Sequence, residues 1–230
     1  VNELIEALHQ NDEKTSTACP SIAQWQKAFE GADEIYVITI TSVLSGSYNS
    51  AVQAASLYCE DHPETKIHVI DSLSAGPEME LIIDKLKELI DAGLNFDEIC
   101  AKINAYIEKT HLNFALESLD NLAKNGRISP AVAKVAKMLK IRIIGRPDDG
   151  KLTPIGKARG AKKTISYLIK DMEEHGFSNG RVIIAHILNE EGANNLKQTI
   201  LDKHPEASVE IREARGLCTY YAQKGGLMVG

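Results

Sequence analysis

Short β-branched runs alternate with longer amphipathic stretches along most of the chain. Glu34-Ile-Tyr-Val-Ile-Thr-Ile40 is apolar on both faces and reads as a buried strand of a parallel sheet. Lys66-Ile-His-Val-Ile-Asp71 reads the same way. The Ala-rich stretch 48–58 between them supplies the crossover helix of a β-loop-α-β unit, so a parallel sheet is expected. Over 78–92, apolar residues recur at Met79, Leu81, Ile82, Leu86, Leu89 and Ile90, close to the 3.6-residue period of a helix. Asn95 is placed to cap the next helix, which runs to about 109.

Beyond it the pattern predicts a strand over 112–116 and a short helix over 118–124 stopped by Asn125-Gly126. Pro130 opens a further helix to 139. Strands over 140–144 and 151–155 form a hairpin turning at Pro147-Asp-Asp-Gly150. Helices over 161–174 and 190–202 and strands over 181–186 and 208–212 complete the alternation. The fold class is α/β.

Composition narrows the class. Of 230 residues, 43% are hydrophobic and 25% charged, values of a globular chain that fills one large domain or two small ones. Acidic residues outnumber basic ones, 32 to 26, for a net charge of −6, a poor footing for nucleic-acid binding. Cys19, Cys59, Cys100 and Cys218 are far apart and form no CxxC, which argues against zinc and a disulfide framework and for reduced thiols in the cytoplasm. No apolar run reaches the roughly 20 residues of a membrane span.

Four segments carry candidate chemistry. Lys14-Thr-Ser-Thr-Ala-Cys-Pro-Ser21 reads as a turn in which Ser21 caps the helix over 22–29, or as a hydroxyl cluster that binds an anion or polar head group. Thr41-Ser-Val-Leu-Ser-Gly-Ser47 joins a strand end to a helix start, where open α/β sheets bind ligands and free helix N–H groups suit an anion. A capping segment is the plainer reading, but it leaves three serines and a threonine in one loop without a reason. Lys124-Asn-Gly-Arg-Ile128 reads as a surface turn. Lys157-Ala-Arg-Gly-Ala-Lys-Lys163 is either a solvated basic face or a place where Arg159 grips a carboxylate or phosphate. GxSxG, GxxxxGK[ST] and HExxH are all absent, and of seven scattered histidines only His186, at a strand end, falls near a site.

In this order, the segments Lys14-Thr-Ser…Pro20-Ser21, Ile38 to Ala51 (ITITSVLSGSYNSA), Val69-Ile-Asp-Ser-Leu-Ser74, Lys124-Asn-Gly-Arg-Ile128 and Gly156-Lys-Ala-Arg-Gly160 resemble the DegV family of bacterial fatty-acid-binding proteins. The resemblance implies two packed α/β domains, here a Rossmann-like one over 1–74 and a second over 75–230 with segments exchanged between them, and a ligand tunnel in between. It implies a long-chain fatty acid as ligand and no other cofactor. The carboxylate would sit on Thr15, Ser16 or Thr17 and on the Ser45-Gly46-Ser47 loop, with Lys157 and Arg159 near the mouth. It further implies a fatty acid kinase as partner, to which the non-catalytic binding protein presents its ligand, and peripheral membrane contact for lipid exchange. A strand ending in Asp-Ser is expected ahead of Val1. The Thr-Ser segment is two residues longer than the family's usual Thr-Ser-Gln-Pro-Ser, and Tyr221 stands where many members carry a His. Neutral hydroxyls would suffice for the head group, without a buried Arg. Two other classes stay open from the residues alone: an acyl- or phosphoryl-transfer enzyme at the Ser45 loop, with Asp71 as the nearby carboxylate, and a phosphate-ester-binding protein using the helix N-terminus and Arg159.

Overall fold

The computed structural model describes residues 1–10 and 14–230, and for His9 the backbone alone. Strands β1 (Glu34–Thr39) and β2 (Lys66–Asp71) form a two-stranded parallel sheet, paired from Glu34↔Lys66 to Thr39↔Asp71. Helix α3 (Ser47–Asp61) is the crossover between them and packs with α2 (Ile22–Phe29) on one face, where Phe29, Val37, Ala51, Ala54 and Tyr58 are buried. Helices α4 (Pro77–Asp91) and α5 (Phe96–Ile107) cover the other face, so that the core around Ile70 continues through Ile82, Leu86, Leu89, Ile99 and Ile103. Both predicted caps form: Ser21 with Gln24 and Asn95 with Glu98 are reciprocal capping boxes.

The second sheet has six strands in the order β5-β4-β3-β8-β6-β7. They are β3 (Asn113–Leu116), β4 (Arg142–Asp148), β5 (Lys151–Ala158), β6 (Arg181–His186), β7 (Ser208–Glu213) and β8 (Leu227–Val229). Only β6 and β7 run parallel; β3 with β4, β4 with β5, β3 with β8 and β6 with β8 are antiparallel. The expectation of mainly parallel sheets is therefore corrected for this sheet. Its β4–β5 corner is a two-residue turn at Asp149-Gly150, both with positive φ (47° and 77°), which permits only antiparallel neighbours. Pro154 is tolerated in β5 because β5 is an edge strand.

The sheet's side chains alternate between two cores. Ala115, Ile144, Ile184 and Val229 face α8 (Ala161–Glu174) and α9 (Glu190–Lys203). Leu112, Phe114, Leu116, Ile143 and Met228 face the other way, toward α1 (Asn2–Gln10), α6 (Asp120–Lys124), α7 (Pro130–Leu139) and α10 (Gly216–Ala222). Helix α4 joins the two sheets. Its apolar stripe rests on β2, while Glu80 and Asp84 pair with Arg212 of β7 at 2.5 and 3.2 Å. At its start the buried Glu78 accepts from Ser74 and, at 2.8 Å, from the Thr110 hydroxyl; burial pushes its carboxyl above the ordinary carboxylate range, and these two hydrogen bonds oppose the shift. Three elements lie outside the sequence expectation: α1, α10 and the three-residue β8 at the centre of the sheet.

Ile184 is fully buried between the sheet and its covering helices. Ile184→Ala is expected to lower unfolding stability by about 2–5 kcal/mol. Ile90→Ala, at a position 47% exposed, should change it by less than about 0.5 kcal/mol. Urea unfolding of both variants checks the contrast, and equal losses would contradict the packing described.

Candidate functional site

The loop after β1 is held from below. Thr41 donates its N–H to Ser74 O at 2.9 Å, and both Leu44 and Ser45 donate back to Thr41 O, which closes a tight turn. Asp71, at the end of β2, accepts from the backbone N–H of Ser42 and of Leu73, each at 3.1 Å. Its carboxylate thus ties the two strand-end loops together and makes no contact with Ser45. The Ser45 and Ser47 hydroxyls lie 2.9 Å apart, and Ser45 Oγ also accepts from Ser47 N–H at 3.2 Å. Helix α3 begins at Ser47, so its unpaired N-terminal N–H groups and the positive end of its dipole sit beside these hydroxyls. A side chain at Gly46 would meet Cys19 Sγ at 3.3 Å, which places the 17–20 segment against this loop.

In the 15–21 segment the predicted cap forms at Ser21, and other residues of the segment border a cavity. Ser21 caps α2, and Ser50 of α3 anchors the approach by donating to Pro20 O at 2.9 Å. Thr17, Ala18, Cys19 and Pro20 line a cavity. The Thr17 hydroxyl lies 2.9 Å from the Tyr221 hydroxyl at the cavity's rim. Thr15 sits behind this pair: its hydroxyl lies 2.8 Å from Tyr220 OH, which donates to Thr15 O at 2.7 Å. Ser16 is exposed and outside the cavity lining.

Arg127 was not singled out by sequence reasoning. Helix α6 ends in a Schellman motif in which Arg127 N–H reaches Leu122 O (2.8 Å) and Gly126 N–H reaches Ala123 O (3.0 Å), with Gly126 at φ 72°. The Asn-Gly pair is therefore a turn, as expected, but one that swings the next side chain inward. Arg127 Nε donates to Leu44 O at 3.2 Å, and its guanidinium joins the cavity wall. The arginine at this cavity is thus Arg127, whereas the sequence reading places Arg159 near the site.

The cavity has a volume of about 500 Å³, within the usual range for small-molecule sites. One wall belongs to the loops around β1, with Ile40, Leu44 and Ala75; the other belongs to the larger sheet and α10, with Phe114, Leu116, Leu152, Leu217 and Met228. The polar side chains Thr17, Ser45, Ser47, Arg127 and Tyr221 gather around the 17–20 and 44–47 segments with the Cys19 thiol, while Cys218 lies beside Met228, so the site pairs a small polar end with an apolar interior. Arg159 lies elsewhere: it is exposed and lines a shallow depression with Leu139, Lys157, Lys163 and Tyr167. His186 also lies outside the cavity, where its Nδ1 accepts from Asn189 N–H at 3.3 Å. Among the described residues no group of three or more His, Cys, Asp or Glu side chains is arranged to hold a metal, and no helix is long and apolar enough to cross a membrane.

The family model described as "Uncharacterised protein, DegV family" matches residues 1–229. The chain belongs to the DegV family. A DegV domain-containing protein of Streptococcus pneumoniae, spr0652, is 44% identical over 231 residues, which cover 100% of this chain and 82% of that protein. The Streptococcus pneumoniae Fatty Acid Kinase (Fak) B3 protein, solved loaded with linoleic acid, superposes with a TM-score of 0.97 at 44% identity, over 99% of this chain and 82% of its own. A DegV family protein from Eubacterium eligens, solved loaded with heptadecanoic acid, gives a TM-score of 0.96 at 41% identity, over 100% of this chain and 83% of its own.

The two cavity thiols differ in environment. Cys19 is exposed, whereas burial pushes the Cys218 thiol up to about 11, helped by the nearby Glu80 carboxylate. A raised pKa keeps Cys218 protonated at pH 8. An aromatic disulfide reagent at that pH is therefore expected to modify the exposed Cys19 rapidly and the half-buried Cys218 much more slowly, as read by peptide mass mapping; equal rates would contradict the raised Cys218 pKa.

Proposed function

We propose that this protein binds a long-chain fatty acid, with the carboxylate at the Thr17, Ser45 and Ser47 hydroxyls under Arg127 and the acyl chain along the apolar interior. The single observation that carries the reading is the gathering of the polar side chains at one end of an otherwise apolar cavity. The fatty acids held by two relatives of more than 40% identity support it. Transfer energetics agree. At about 0.8 kcal/mol per methylene, roughly 14 buried methylenes gain on the order of 11 kcal/mol before ordering costs are subtracted. The tail supplies most of the affinity, and the head group needs only a few donors. An arginine at the polar end adds a fixed positive charge that favours the carboxylate over a neutral ester. Thr15 acts one step back by holding Tyr220, and Arg159 takes no part in the head-group site.

The same reading makes the protein a carrier and not a catalyst. Among the described residues the hydrogen-bond neighbour of the Ser45 hydroxyl is Ser47 and no carboxylate or imidazole, and Asp71 accepts from backbone N–H groups, an arrangement unlike the nucleophile–base pair of acyl or phosphoryl transfer. We read the two sheets with their helices as two packed units, and the presentation of the bound acid to a kinase as the carrier's role. Lipid exchange would use α7, where Val135, Met138 and Leu139 are 45%, 71% and 44% exposed among Lys134, Lys137 and Lys140. This is the combination that settles at an anionic lipid surface.

Native mass spectrometry of gently purified protein is expected to show one co-purified fatty acid; a clean mass with phosphate-ester binding would reject the reading. Thr17→Ala and Ser45→Ala should each weaken binding of the free acid roughly ten- to a hundredfold, the range for a hydrogen bond to a charged group. The methyl ester should bind both variants as it binds the parent, and equal losses for acid and ester would sink the head-group assignment. Met138→Asp is expected to abolish flotation with anionic phospholipid vesicles, and unchanged flotation would remove α7 from the contact.

A further inference from the structure

Phe114 faces the cavity from β3, and directly across the antiparallel ladder from it stands Gly145 of β4. A Cβ built on Gly145 would overlap the edge of the Phe114 ring, and it would also stand 2.8 Å from Thr153 O. Gly145 is buried and carries no positive φ, so its missing side chain is a matter of space and not of backbone conformation. The edge of the ring fills the gap a side chain would occupy. Directly next to this pair the register of β4 with β5 shifts between Ile144 and Gly145, where β5 carries one extra residue. On its other sides Phe114, 3% exposed, packs in a cluster that includes Leu116, Ile143 and Met228, while the ring also borders the cavity. A ring displaced from the glycine has one open direction, which is the cavity itself.

We infer that the Phe114–Gly145 pair sets the depth of the cavity and thereby the length of acyl chain it admits. This rests on the fatty-acid reading given above. With the ring down on Gly145, the cavity keeps the space that a displaced ring would take. A methyl group at position 145 lifts the ring into the acyl path, and a smaller side chain at position 114 deepens the floor. The pair is a specificity determinant distant from the head group, so it should change the ranking of fatty acids without changing the preference for acid over ester.

The test is a set of dissociation constants for myristate, palmitate and stearate with the parent protein, Gly145→Ala and Phe114→Leu. In Gly145→Ala, stearate is expected to lose about fourfold in affinity relative to myristate for each methylene no longer accommodated, the equivalent of about 0.8 kcal/mol per methylene. Phe114→Leu is expected to move the ratio the opposite way, in favour of stearate, and it keeps the test decisive if Gly145→Ala fails to fold. Unchanged ratios in both folded variants, or equal loss for all three acids, would overturn the inference, since a merely structural role weakens every acid alike. Failure of the parent protein to bind any of the three acids would overturn the fatty-acid reading itself, a result distinct from a parent that binds while its variants keep the same ranking.

Discussion

The Asp71 carboxylate is the constraint on which the site depends. By accepting from Ser42 and Leu73, it fastens the loop after β1 to the loop after β2 at the common carboxyl edge of the small sheet. A charge-assisted bond to backbone N–H fixes where the chain goes next. From Ser42 the chain turns over Thr41 O and delivers Ser45 and Ser47 to the start of α3. From Leu73, at φ 51°, it descends through Ser74 into α4, the helix that pairs with the larger sheet. The same carboxylate therefore positions the hydroxyls on one wall and the element that holds the opposite wall at its distance.

Much of this was legible because local signals agreed with one another. The strand pairs around Glu34 and Lys66, the caps at Ser21 and Asn95 and the Asp-Gly hairpin each rest on residues adjacent in sequence. What escaped depends on contacts remote in sequence. β8 has three residues between glycine-rich flanks, too short for any periodicity, and becomes a strand only because β3 and β6 leave a slot for it. The antiparallel character of the larger sheet follows from that late insertion and from the hairpin, neither of which a βαβ start foretells.

The same division runs through the site. The small, hydroxyl-rich loop at 41–47 was readable, since strand ends and helix starts are where such residues serve a ligand. The different surroundings of Thr15 and Thr17 were not, because they come from Tyr220 and Tyr221 some two hundred residues away. Arg127 looked like part of a plain turn; only the Schellman geometry shows that an Asn-Gly stop aims the next residue inward. Arg159 looked suited to an anion by composition, but it belongs to β5 and its connection to α8 on the far side of the hairpin.

Tyr220 and Tyr221 are successive residues whose rings stand at 88° to each other, one reaching Thr15 and the other Thr17. Asn121 and Asn125 hold Tyr220 from α6, through its carbonyl oxygen at 2.8 Å and its hydroxyl at 3.2 Å. Six residues after Tyr221 the chain enters β8, the strand at the middle of the larger sheet. The 15–20 rim is thus mechanically grounded: a displacement of that lip pulls on α10 and, through it, on the sheet's own midline. Opening that lip at Thr17 would therefore disturb the centre of the larger sheet as well as the rim.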